Sequence, residues 1–493
     1  MDDGPQRSTP SYQWAQWMFL RVLAAIYFIA FTSFWIQAQG LIGHNGILPV
    51  DTFLEYAGDV IGPAKYRVIP TLFWLGTGDT MFHLLCGGGA ALSVLLGFGI
   101  APAPVLLLLW AFYLSLCSAG QEFMEFQWDI LLLETGFLAI FLAPPMARNT
   151  RLSRPSGIAL WMLRWLLFRL MVSSGIVKLL SGDPAWRGLS ALRVHYETQP
   201  LPTWIGWYAH QLPAWFQSAS TIVMFVIEIG VPLLIFAPAR VRRWAFWPLV
   251  ALQVLILLTG NYCFFNLLTI ALCVLLLDDG AIPARWRLHA QPDPAPPGIA
   301  SRVWSLWMTG AASAFLFLLS LVHFAVTLQL PVKWPQAVAD VYRVTAPFRS
   351  VNGYGLFAVM TTERPEIVVE GSRDGVRWQA YGFKYKPGDV KRRPAFVAPH
   401  QPRLDWQMWF AALGTYQQNR WFISFCGRLL SGERSVLSLL AYNPFPDGPP
   451  AYVRARLFRY HFSDLRAKSA TGQWWTRKEV GEYCPVLPVT TSR

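Results

Sequence analysis

The run Phe126-Gln-Trp-Asp129-Ile-Leu-Leu-Leu-Glu134-Thr-Gly-Phe-Leu-Ala139 places two carboxylates, Asp129 and Glu134, in a stretch otherwise apolar enough to cross a bilayer. A charged side chain near the centre of a membrane helix costs about 2.5–3.5 kcal/mol on insertion scales, so each carboxylate has to be paired or put to use. What surrounds this run decides both the fold and the partners.

With 54% hydrophobic and 14% charged residues, 24 Trp and 33 Phe in 493 residues, the chain has the composition of a polytopic membrane protein. Predominantly apolar windows fall at Trp14–Ile36, Thr80–Ile100, Ala103–Ser118, Asp129–Ala143, Ile158–Leu180, Ala219–Phe236, Trp244–Leu258, Phe264–Leu277 and Ser305–Leu328, which predicts about nine crossings. The seventh and eighth windows are short and separated by Thr-Gly-Asn-Tyr262-Cys; they read either as two steep spans or as a re-entrant hairpin. The expected organisation is a short cytoplasmic tail (1–13), a transmembrane helical domain (14–330) and an extracytoplasmic domain (331–493).

Orientation follows from the basic loops. With the amino terminus inside, Arg148, Arg151 and Arg154, then Arg240, Arg242 and Arg243, then Arg285, Arg287 and Arg302 all face the cytoplasm. Much of the net charge of +13 is therefore topological, and no basic stripe suggests nucleic acid. Beyond about residue 340 the pattern changes to period two. Glu366 to Tyr385 and Tyr452 to Phe462 read as strands, with Arg373-Asp374-Gly375 as a turn. Helical stretches lie between them, at about Leu404–Tyr416 and Trp421–Ala441. The predicted fold class is thus a polytopic α-helical membrane protein followed by an α+β, antiparallel-sheet-rich extracytoplasmic domain.

Within the membrane, the fourth and fifth windows form a hairpin, which sets Glu134 at the depth of Arg169 as a neutralising pair. Asp129 and Glu125, spaced i, i+4, are expected on one helical face near Ser173, Ser174 and Lys178. Lys178 is a candidate base, with Asp129 or Glu125 modulating its charge, and His195 with Glu197 a candidate acid–base pair at the membrane surface. Glu228, Asn261, Tyr262 and Asn266 complete an intramembrane polar network. In the outer region Trp406, Trp409 and Trp421 read first as core or interface residues and second as client-binding anchors. Cys426 and Cys484 are placed where an oxidising compartment allows a disulfide.

Several chemistries are excluded by motif. There is no GxSxG elbow, P-loop or HExxH, Gly97-Phe-Gly-Ile-Ala-Pro102 fails the dinucleotide pattern, and the eight histidines are too scattered for a metal site. No metal or nucleotide cofactor is expected, and the sequence names no other.

Taken together, Phe126–Ala139, Arg164–Pro213, Thr259–Asp279, Val351-Asn-Gly-Tyr-Gly-Leu-Phe, Glu370–Trp378, Asp405-Trp-Gln-Met-Trp-Phe and Asn443-Pro-Phe-Pro-Asp-Gly-Pro-Pro resemble the lipase maturation factor family. The resemblance implies a membrane protein that helps secreted lipases fold, with its carboxyl-terminal region contacting an exported client. Animal members imply the endoplasmic reticulum; the ending Thr-Thr-Ser-Arg without a retrieval signal, and the lack of an Asn-x-Ser/Thr sequon, favour a bacterial inner-membrane homologue with a periplasmic outer domain. A more distant resemblance links Gly175-Ile-Val-Lys178-Leu179 and Trp186 to the active-site lysine segment of vitamin K-dependent gamma-glutamyl carboxylases. It implies, as the alternative to a folding factor, a membrane enzyme using Lys178 as base on a lipid-like cofactor or substrate.

Overall fold

A computed structural model describes residues 11–144, 155–283, 285 and 299–489, with side chains in the last membrane helix from 310 onward. Arg148, Arg151, Arg154 and Arg287 and residues 1–10 of the expected tail lie outside the described residues.

Each of the apolar windows is centred on a helix: α1 (Gln13–Ile42), α2 (Asp79–Phe98), α3 (Pro102–Ala119), α4 (Gln127–Leu142), α5 (Gly157–Leu180), α6 (Ala214–Phe236), α7 (Ala239–Thr259), α8 (Phe265–Val274) and α9 (Ile299–Thr327). Seven are long and apolar enough to cross a membrane, whereas α4 has 16 residues and α8 has 10. At 1.5 Å per residue α8 covers about 15 Å, roughly half a hydrocarbon core. The turn between α2 and α3 shows how sequence sets these boundaries: Gly99 ends α2 in the left-handed region (φ 74°) and Pro102 opens α3, where its missing N–H costs nothing.

The seventh and eighth windows form an antiparallel pair that returns to its starting side. Residues 275–278 continue α8 down to Asp278, which pairs with Arg243 near the start of α7 at 3.4 Å, and Asp279 accepts hydrogen bonds from the backbone N–H groups of Gln13 and Trp14 at the start of α1. The carbonyl of Leu275, at the end of α8, is capped by the Arg164 guanidinium (3.0 and 2.8 Å), so the short helix leaves no bare acceptor there.

The outer region carries a four-stranded antiparallel sheet in the order β2-β1-β5-β6, made of β1 (Arg364–Ser372), β2 (Gln379–Ala380), β5 (Tyr452–Phe462) and β6 (Trp475–Pro488). A separate pair joins β3 (Gly382–Phe383) to β4 (Leu440–Tyr442). The expected turn at Arg373-Asp374-Gly375 joins β1 to β2, but β1 pairs along its whole length with β5, Ile367 opposite Leu457 and Val369 opposite Ala455. Helices α10 (Arg403–Ala412) and α11 (Arg420–Leu430) occupy the predicted interlude; the second stops eleven residues before the expected Ala441, with Gly432 just beyond it at φ 69°.

One hydrophobic core runs through both regions, uniting Phe31, Phe34, Leu131 and Leu163 of the membrane helices with Ile367, Val369, Trp406 and Phe425 of the outer region. The outer region is therefore seated on the helix ends. Asn261, in the α7–α8 turn, accepts from the N–H groups of Val397 and Ala398 and donates to the carbonyls of Leu201 and Ala395. Buried Arg364 of β1 donates to the carbonyls of Glu197, Gln199 and Pro200. These bonds satisfy the irregular backbone between helices, which hydrocarbon alone would leave unpaired.

Candidate functional site

The buried charges resolve into separate sites. Glu134 of α4 contacts Arg169 of α5, and its other oxygen accepts from the N–H of Asn352 (2.8 Å) and the hydroxyl of Tyr354 (2.7 Å). Arg169 in turn donates to the Asn352 carbonyl at 2.9 Å. An acid inside the bilayer region is thus held by a cation on the neighbouring helix and by donors from the Asn352-Gly-Tyr354 segment of the outer region.

Asp129 does not approach Lys178. It takes a bidentate pair from Arg403 of α10 (2.9 and 2.8 Å) and a bond from the Tyr113 hydroxyl of α3, and both charges are fully buried. Nor do Glu125 and Asp129 share a helical face. Helix α4 starts only at Gln127, after Phe126 adopts an extended conformation, and Glu125 stays exposed in the preceding turn. The i, i+4 rule fails because it presumes continuous helix.

Lys178 is paired instead with Glu228, at 2.6 Å, and its ammonium lies over the Trp186 ring. The partner is presented by a break in α6, where the helix passes through a π-helical turn, Val226–Gly230, before finishing as 3₁₀ helix. Gly175 allows the close approach of α5 to this turn, since a Cβ there would stand 2.5 Å from Ile229 and 3.1 Å from Glu228.

This ion pair stands in the wall of a cavity of about 850 Å³ formed by α5, α6, α7, α8 and the outer segment that carries His195. Its lining is predominantly apolar, and the polar exceptions converge. His195 contacts the Tyr262 hydroxyl at 3.1 Å, Tyr262 donates to Gln199 at 2.8 Å, and Asn266 donates to Gln253 at 2.8 Å. Burial, and then the nearby Lys178 charge, push the His195 pKa down to about 4. The imidazole is thereby neutral at physiological pH, and the expected partner Glu197 is engaged elsewhere, accepting from His461 and from the Phe462 N–H. A pocket of this size, apolar with a few convergent polar groups, is the usual form of a small-molecule site. Among the described residues no cluster of three or more His, Cys, Asp or Glu has the arrangement of a metal site.

The structure therefore brings Lys178, Glu228, His195, Tyr262 and Asn266 to one cavity, and leaves Glu125, Asp129, Glu134, Arg169 and Asn261 outside it. Gln253, Arg403 and Asn352 were missed by sequence reasoning. A lone Gln inside an apolar window was a usable signal for the first; the other two are ordinary polar residues of an outer region with no local mark of membrane contact. Trp406, Trp409 and Trp421 are buried, with Trp409 donating to the Thr198 carbonyl, so none presents a surface anchor. Cys426 and Cys484 are both buried free thiols, without the disulfide.

Two family models match the chain, the lipase maturation factor transmembrane domain over residues 14–284 and the lipase maturation factor C-terminal domain over residues 350–485. Similar proteins include lipase maturation factor 2 of chicken, 39% identical over 96% of this chain and 81% of its own length, and of human, 38% identical over 95% and 82%. Lipase maturation factor 1 of mouse is 36% identical over 98% of this chain and 89% of its own length. No solved structure matches. With both regions matched in order and nearly the full length aligned, the chain belongs to the lipase maturation factor family.

Proposed function

We propose that this integral membrane protein is a non-enzymatic maturation factor for exported proteins, lipases among them, acting on a client from the non-cytoplasmic side. The observation that carries the reading is the family match through both regions, in relatives named for lipase maturation. The basic loops support the orientation, with the outer region facing the periplasm in a bacterial inner membrane or the lumen in an endoplasmic reticulum. Because Trp406, Trp409 and Trp421 are internal, client contact is assigned to aromatics that remain exposed in the outer region, Phe396, Phe410 and Tyr442. Lys178 acts here as the partner of Glu228 and supports the fold.

The test uses a host lacking its own copy and expressing a lipase that depends on it. Replacing Phe396, Phe410 and Tyr442 together by Ala is expected to lower secreted lipase activity at an unchanged membrane level of the factor, whereas Lys178→Ala lowers the membrane level and leaves activity per molecule of factor intact. Equal lipase activity with and without the factor overturns the proposal.

A further inference from the structure

The maturation role gives the membrane cavity no occupant, yet its walls describe one. Its outer boundary includes Trp215 and Val223 of α6 and Leu255 of α7, exposed at 70%, 56% and 59% on the flank of the helical region. Apolar side chains exposed on a membrane helix are in contact with lipid tails, so the cavity communicates with the bilayer rather than with water. Its inner wall carries a few polar groups that are incompletely satisfied. Gln253 and Asn266 are only 4% and 1% exposed, and after their mutual bond the Asn266 carbonyl oxygen has no partner among the described residues, where the Gln253 amide nitrogen reaches only the Met171 sulphur at 3.8 Å. One acceptor and one weakly used donor, both deep in an apolar wall, are a costly arrangement that a bound hydroxyl or carbonyl group relieves. His195 adds a third such atom, since its Nδ1 is buried without a partner among the described residues.

Charge then decides the kind of head group. Among the described residues Lys178 is the one Lys or Arg in the lining, and it is already bridged to Glu228, so these walls offer no free cation to a phosphate or carboxylate. A full negative charge brought in there would be buried unpaired, whereas a neutral polar head meets donors and acceptors alone.

We infer that the cavity binds a neutral membrane amphiphile, its apolar tail lying between α6 and α7 and its hydroxyl- or carbonyl-bearing head on Gln253 and Asn266. The inference is independent of the maturation role. The ligand enters sideways from the bilayer and fills a space that the helices do not close by themselves.

The experiment uses the full-length protein in phosphatidylcholine nanodiscs containing a trace of diacylglycerol with a diazirine in one acyl chain. Photolysis is expected to label peptides covering residues 205–228 and 252–269. Excess unlabelled diacylglycerol should abolish the labelling, and the same excess of phosphatidylglycerol should leave it. The pair Gln253→Leu and Asn266→Leu should reduce labelling about tenfold, the factor that corresponds to one lost hydrogen bond of ordinary strength. Should that pair fail to fold, Ser220→Trp, which narrows the mouth from a half-buried position, is expected to give the same loss. Equal competition by phosphatidylglycerol, or labelling unaltered in every folded variant, means boundary lipid only and overturns the inference. Lipase maturation, measured on the same preparations, separates failure of this site from failure of the proposed function.

Discussion

At the scale of the residue, the buried charges behave as pairs whose halves are worth little alone. Removing one partner of a buried ion pair leaves the other uncompensated, at a cost of about 3–5 kcal/mol. Asp129→Asn is therefore expected to destabilise the protein by about that amount by stranding Arg403, measured as loss of thermal stability in detergent. A pH effect follows from His195 and from His400, whose pKa is likewise pushed down to about 4 by burial and then by the Arg403 and Lys384 charges. An ordinary imidazole titrates at 6.5, so between about pH 6.5 and 4 the unfolded chain binds more protons than the folded one. Stability is thus fully present above 6.5 and falls as the pH drops towards 4. Melting curves at pH 7.5 and 5 check this; His195→Gln should shrink the difference, and His400 should retain the remainder. The sequence marked Asp129, Lys178 and Glu228 as needing partners, but could not say which, because Arg403 reaches Asp129 across 274 positions of the chain.

At the scale of the element, the π-helical turn in α6 and the glycine opposite it form one device. The extra residue in the turn changes the direction in which Glu228 leaves the helix, and Gly175 lets α5 approach closely enough for Lys178 to meet it. Gly175→Val should force the helices apart and cost about 1–3 kcal/mol through overpacking, with Gly175→Ala milder. Thermal unfolding measures the cost. An unchanged melting temperature in Gly175→Val would show that the helices do not pack this closely. Helix existence was legible from apolar windows, but the π turn was not, since hydropathy carries no information on a local change of hydrogen-bond register. Strand β5 was read to its boundaries, Tyr452 to Phe462, because alternation survives wherever one sheet face is buried. Strand β1 was legible from Glu366 onward, but its pairing with β5 was not, since the nearby turn pointed to β2 and the pairing spans long sequence separation.

At the scale of the whole molecule, the outer region and the helical region stabilise one another. Arg403 on Asp129, Arg364 on the carbonyls of residues 197–200, and Asn352 with Tyr354 on Glu134 all lie at their junction. A separately produced fragment 331–493 would expose the apolar seat and leave these groups unpaired, so it should aggregate, and co-production with fragment 1–330 should recover a soluble complex in detergent. Size-exclusion chromatography of the two preparations decides the matter; a monodisperse isolated fragment would show that the junction is not required.

The sequence by itself determined the membrane class, the helical windows and the family, because each depends on composition, local periodicity or short motifs that need no knowledge of distant contacts. Only the tertiary structure decided that Asp129 serves Arg403 and Lys178 serves Glu228, that the outer tryptophans are internal, and that α5 to α8 enclose a cavity. Those properties arise where segments far apart in the chain meet. The cost of burying a charge shows from sequence that a partner must exist, and three-dimensional packing alone selects it.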